Sequence, residues 1–122
     1  MAPVEELTQR LRTFADERNW GQFHTPKNLV MAAAGEMGEL VAEFQWLTPE
    51  QSAAVMDDLK AGARVRAGLG DVVIYLTRLA DVLGIDLVQA ALDKLEDSAR
   101  RYPVERSRGS AAKAPGYHPS AP

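Results

Sequence analysis

Three glutamates, Glu36, Glu39 and Glu43, follow one another at intervals of three and four in the segment GEMGELVAEF. That spacing lays their carboxylates along one strip of a helix. On a wheel of about 100° per residue, Glu36 falls about 80° from the centre of the apolar arc and Glu39 about 140° from it, so the strip borders the core. Like charges in such a row repel by a few tenths of a kcal/mol per pair, roughly, and a divalent cation turns that repulsion into attraction. Spacing alone reads more readily as an ordinary solvated flank. Asp71 is a second acidic candidate, at the head of the apolar run DVVIYLTRLADVL. After Gly68 and Gly70 it also reads as a helix N-cap, and Tyr75, one turn on, shares its face. With no cysteine and only two histidines, any metal would be bound mostly through oxygen, which suits Mg²⁺ or Mn²⁺.

Other residues could handle a ligand rather than an ion. Trp20, Phe23, Phe44 and Trp46 flank the acidic helix at its two ends. Flat rings there could stack on a nucleobase, an interaction of roughly 1–3 kcal/mol per base, or could simply fill a core. His24 stands in a loop without a partner motif, and Lys27, Lys94, Arg100, Arg101 and the RSR around Ser107 could meet phosphates. The sequence has no GxSxG, GxxxxGK[ST] or HExxH signature. A net charge of -3 argues against a nucleic-acid polymer as partner but leaves room for a small anion neutralised locally. No apolar run approaches the roughly 20 residues needed to cross a bilayer, and the start lacks a signal-peptide pattern, so the expectation is a soluble cytoplasmic protein.

Helical periodicity assigns the elements that must hold these residues. Val4, Leu7, Leu11 and Phe14 predict an amphipathic helix over residues 4 to 18. Thr25-Pro26 is a start signal for a second helix reaching about Trp46, and Thr48-Pro49 with Gln51 a start signal for a short one over 49 to 58. Residues 59 to 70 carry no clear pattern. From Asp71 a helix runs to a glycine stop at Gly84, and a last one, capped by Asp86, reaches about Arg100 before Tyr102-Pro103. The fold class is all-α, a bundle of four to five helices in one domain over residues 1 to 103, with an extended or disordered tail over 104 to 122. Helices this apolar on so short a chain also suit burial against a second copy.

Taken in order, the segments FADERNWGQFHTPKNL, GEMGELVAEFQW, DVVIYLTRLAD and KLEDSARRYPVERSRGSAAK resemble the MazG-like all-α nucleoside triphosphate pyrophosphohydrolases, most closely the dCTP pyrophosphatase branch. The resemblance covers roughly residues 7 to 113. Its most specific part is a pair of motifs, ExxE then ExxD; Glu36 and Glu39 match the first, and Asp71 the last position of the second. It implies a Mg²⁺-dependent enzyme that cleaves a (deoxy)nucleoside triphosphate, dCTP or a modified dCTP, into monophosphate and pyrophosphate. Glu36, Glu39 and Asp71 would be metal ligands, with Glu36 and Glu39 catalytic. Trp20 and Trp46 would enclose a pyrimidine, with His24 and Lys27 also on the substrate. Tyr75 would lie near the sugar, and Lys94, Arg101 and Tyr102 would face the phosphates. Assembly as a homodimer or homotetramer, with the site at a subunit contact, is also implied. The sequence departs from the pattern at Gly68, where the ExxD motif has a metal-ligating glutamate, and at Ser98 and Leu11, where relatives carry an asparagine and a histidine. Gly68 raises the alternative of a nucleotide-binding paralogue with impaired catalysis.

Overall fold

The computed structural model describes residues 2–114. Helix α1 (Pro3–Glu17) is followed by a 3₁₀ turn (Gly21–Phe23), α2 (Pro26–Phe44), α3 (Pro49–Ala53), a second 3₁₀ turn (Val55–Asp57), α4 (Leu59–Leu83), α5 (Leu87–Arg101) and α6 (Val104–Ser107). No strand occurs among the described residues, and the all-α expectation holds. No helix among them is long and apolar enough to cross a membrane.

Most boundaries follow from local chemistry. The Thr25 hydroxyl accepts from the Asn28 N–H at 3.2 Å, and Pro26 opens α2 where its missing N–H costs no hydrogen bond. At α3 the box is reciprocal, since the Gln51 N–H donates to the Thr48 hydroxyl at 3.1 Å and the Thr48 N–H to the Gln51 side chain at 2.9 Å. That helix stops at Ala53 rather than residue 58, and the 3₁₀ turn carries the chain on. Gly84 ends α4 with φ +70°, a left-handed conformation that glycine adopts without a Cβ penalty.

The largest departure from expectation is α4, which begins twelve residues before Asp71, at Leu59. Its cap is Asp58, whose Oδ1 accepts from the N–H groups of Lys60 and Ala61 at 2.9 and 3.1 Å. Gly68 and Gly70 are therefore helix-interior residues, and Asp71 is not an N-cap. Gly68 lies against α2: a Cβ placed on it would sit 3.3 Å from Leu40 Cδ1. Packing on α2 overrides glycine's poor helix propensity there.

The chain divides into two compact units after Asp86. In the first, α2 and α4 run antiparallel, because Glu43 meets Arg64, Leu40 meets Gly68, and Glu36 feels the charge of Asp71. Helix α1 joins α4 through Arg12 and Asp81. The core between them is small, made of Ala15, Leu29, Ala33, Leu40, Val65, Thr77 and Ala80, with Leu29 only 1% exposed. Much apolar surface stays outside it. Val30, Met37 and Val41 form one exposed stripe on α2, and Leu69, Val73 and Leu76 another on α4. The second unit contains α5, whose end is tied down where the Ala114 N–H donates to the Tyr102 hydroxyl at 3.1 Å. The expected boundary at residue 103 falls inside this unit, and one helical turn, Val104–Ser107, interrupts the expected extended chain. The remainder of the expected tail, 115–122, lies outside the described residues.

Candidate active site

The acidic strip of α2 divides in two. Arg64 Nε donates to both Glu43 oxygens at 2.9 and 3.0 Å, so that carboxylate belongs to an inter-helix ion pair. Glu36 and Glu39 remain. Glu36 is half-buried and Glu39 exposed, and Asp71 lies across from them on α4. Burial raises the Glu36 pKa above its ordinary value, and the charges of Glu39 and Asp71, with a hydrogen bond shared with Glu39, raise it further.

This is the electrostatic state of a place that lacks positive charge. Hard oxygen donors at mutual repulsion fit a cation of the Mg²⁺ type. Among the described residues no group of three acids, cysteines or histidines is arranged to hold an ion. Gly68 lies one turn before Asp71, and a Cβ on it would meet Leu40.

Asp71, Tyr75 and Arg78 follow at intervals of four and three and so lie on one face of α4. About 10 Å along the helix from Asp71, Arg78 Nε donates to His24 Nδ1 at 3.1 Å. The His24 ring stands edge-to-face with Trp20, centroids 6.3 Å apart, and Trp20 packs the same way on Phe14 at 5.5 Å. The chain reaches this point through Asn19 at φ 54° and a Trp20 N–H donating to the Ala15 carbonyl at 2.9 Å. Trp20 is 42% exposed, which leaves ring surface open. One face of α4 thus carries an acidic end and an aromatic end.

Trp46 is not brought to the Trp20 end. It follows the C-terminus of α2, a helix roughly 27 Å long whose other end begins two residues after His24. It is 85% exposed, and within one chain the two tryptophans do not enclose a base. Lys27 is exposed in the first turn of α2.

In the second unit Lys94, Arg100 and Arg101 surround one carboxylate, Asp97, at 3.9, 3.6 and 3.1 Å. The Arg101 guanidinium is 6.0 Å from the centre of the Tyr102 ring. Arg101 Nε approaches Asp97 closely but without hydrogen-bond alignment, which leaves this buried N–H unsatisfied. Asp97 is absent from the candidates that sequence alone suggests, as are Arg78, Asp81 and Arg12. Arg78 and Asp81 had a signal, two charges in an otherwise apolar helical run. Arg12 had none, because its partner lies 69 residues away.

A MazG-like family model matches residues 32–114, a span containing Glu36, Glu39, Asp71, Lys94, Arg101 and Tyr102. The chain belongs to the MazG-like family. It is 43% identical over 110 residues to dCTP pyrophosphatase 1 of Bos taurus and 39% identical over 110 residues to dCTP pyrophosphatase 1 of Homo sapiens. Each match covers 90% of this chain and 65% of the relative, so the chain spans just under two thirds of these relatives' length. The crystal structure of a pyrophosphatase from Archaeoglobus fulgidus superposes with a TM-score of 0.78 at 38% identity, covering 84% of this chain and 94% of that one. The resemblance seen in the motifs is thereby borne out, including its dCTP pyrophosphatase branch.

Proposed function

We propose that this protein hydrolyses dCTP or a modified dCTP to the monophosphate and pyrophosphate, clearing it from the nucleotide pool. The observation that carries the reading is the Glu36–Glu39 pair facing Asp71 across α2 and α4, in a chain 43% identical to a dCTP pyrophosphatase. Glu36, Glu39 and Asp71 would hold a divalent cation, Mg²⁺ or Mn²⁺, which when bound supplies positive charge to phosphate oxygens and acidifies water. Glu39, the more exposed of the pair, would orient a water for in-line attack on the α-phosphorus, breaking the bond to the bridging oxygen that leaves with pyrophosphate. Trp20 offers a stacking surface for the pyrimidine, Tyr75 lies between it and the acids, and Lys27 is a further substrate contact. Lys94, Arg101 and Tyr102 serve the phosphates.

A homodimer or homotetramer belongs to the same proposal. Two apolar stripes are left outside the core, and a Trp46 that is 85% exposed is free to complete the base pocket of a second copy.

The test is pyrophosphate release from a panel of nucleoside triphosphates, with and without Mg²⁺ or Mn²⁺. Turnover of dCTP that needs the cation and falls at least about 100-fold in Glu39→Gln is expected, the scale on which a positioned acid–base group contributes. No turnover of any triphosphate at saturating cation would sink the reading.

Gly68 supports a second reading, a nucleotide-binding paralogue in which catalysis is impaired. Leu40 occupies the side of α2 toward which a glutamate at 68 would project. If Gly68→Glu creates activity where the natural chain has none, with nucleotide binding unchanged, this second reading stands.

A further inference from the structure

Arg78 is deeply placed for an arginine, its side chain 12% exposed, and it is held by a carboxylate equally enclosed, Asp81 at 11%. Arg78 Nη1 lies 3.4 Å from Asp81 Oδ2. The same carboxylate takes a two-pronged grip from Arg12, whose Nε donates to Oδ2 at 2.8 Å and whose Nη2 donates to Oδ1. A relay thus runs inward from α1 to α4 and ends at His24 Nδ1, 3.1 Å from Arg78 Nε.

The chemistry at that end is constrained. A guanidinium has donors only, so the nitrogen that receives it must carry a lone pair. A neutral imidazole that accepts at Nδ1 bears its proton on Nε2. The Arg78 charge beside the ring disfavours a second proton on it. Consistently, burial first and the Arg78 charge second lower the His24 pKa from its ordinary value. The ring stands at 69° to Trp20 with centroids 6.3 Å apart, which keeps the imidazole beside the surface on which a base could stack.

We propose that the Arg12–Asp81–Arg78 relay is a positioning device that fixes His24 as the Nε2–H tautomer, a donor aimed at a ring acceptor of the bound pyrimidine. The proposal rests on the functional reading above for the identity of its ligand. His24 then selects for an acceptor, O2 or N3 of cytosine, while Arg78 and Asp81 act only through it. A histidine free to exchange tautomers would spend part of its time presenting a lone pair to the same atom, which is repulsive.

The test uses the full chain with ¹⁵N-labelled histidine, whose two side chains, His24 and His118, separate by substitution of either. Expected is a single His24 tautomer, Nε2 protonated and Nδ1 bare, with the Nε2 resonance shifting on addition of dCTP or dCMP. Arg78→Met should give a mixture of tautomers, and Arg78→Lys, which keeps a donor, should restore part of the single form. In turnover, His24→Ala and Arg78→Met should raise KM for dCTP about tenfold, the loss of one good hydrogen bond, with kcat changed far less. His24→Gln, whose amide NH₂ stands near the place of Nε2–H, should stay within about threefold of the parent. Protonation of Nδ1 in the parent, or an unchanged KM in His24→Ala, would overturn the proposal, and neither needs a variant of the buried arginine to fold. Absence of turnover would overturn the functional reading alone; a His24 Nε2 resonance that ignores the nucleotide would overturn this one.

Discussion

Gly68 is the position where the fold and the proposed chemistry make opposite demands, and three substitutions separate them. Gly70→Ala sets the scale, because nothing lies within 4 Å of a Cβ there and the change should return the full helix-propensity gain of about 1 kcal/mol. For a domain of this size that raises Tm by roughly 4–8 °C. Gly68→Ala makes the same backbone gain but sets its Cβ 3.3 Å from Leu40 Cδ1. The neighbour is the far end of a flexible side chain, so relief requires a rotamer adjustment of about 0.5–1.5 kcal/mol, and the net change should be near zero. Gly68→Glu adds a like charge one turn from Asp71, a further few tenths of a kcal/mol, roughly. In EDTA its stability should fall within about 1 kcal/mol of the parent. With Mg²⁺ present the order should reverse. A fourth carboxylate that tightens the cation tenfold adds about 1.4 kcal/mol at saturation, which is about 5 °C or more in Tm. Thermal melts of the four proteins in EDTA and in excess Mg²⁺ read this directly. Equal Mg²⁺-induced shifts in Gly68→Ala and Gly68→Glu would refute the placement of the cation beside α4. A loss above about 3 kcal/mol in Gly68→Ala would refute the claim that Leu40 can yield.

Two further outcomes test the frame around the site. The Arg12 side chain, by hydrogen bond and charge, lowers the Asp81 pKa against an opposing burial effect. The folded state therefore binds fewer protons than the unfolded one, and the contribution of Asp81 is present above the unfolded carboxylate pKa of about 3.9 and fades as pH falls through the lower folded value. Urea midpoints for the parent and Asp81→Asn should differ most near pH 6–7 and converge below about pH 4; a gap that is constant with pH would count against the ion pair. Asp58→Ala removes the acceptor for two N–H groups at the start of α4 and should cost about 1 kcal/mol, seen as a Tm lower by roughly 4–8 °C. An unchanged Tm would mean that α4 does not depend on that cap.

What the sequence disclosed about this protein divides along a physical line. Thr25, the Thr48–Gln51 box and Gly84 were legible because each acts within three or four residues, through a side chain or a φ angle that belongs to the residue itself. The first half of α4 was not. Two glycines near Asp71 suggested a late start, whereas Gly68 is kept helical by its approach to Leu40, a residue 28 positions earlier. Moving that boundary changed the meaning of Asp71, from a cap occupied by its own helix to an acid in mid-helix with its carboxylate available to Glu36 and Glu39. The reverse happened to Glu43, which spacing grouped with the other two and which Arg64 withdraws. Charge spacing along one helix fixes which carboxylates share a face; only the neighbouring helix decides which of them are already neutralised. The same holds at the other end of α4, where Arg12 and His24 acquire their roles from partners 69 and 54 residues away. Long-range polar pairs, Glu43–Arg64 and Arg12–Asp81, join the neighbouring helices beside the small core. The residues that align α1 and α4 are therefore the residues that orient the proposed base contact, and a substitution that loosens the bundle there should loosen nucleotide binding with it.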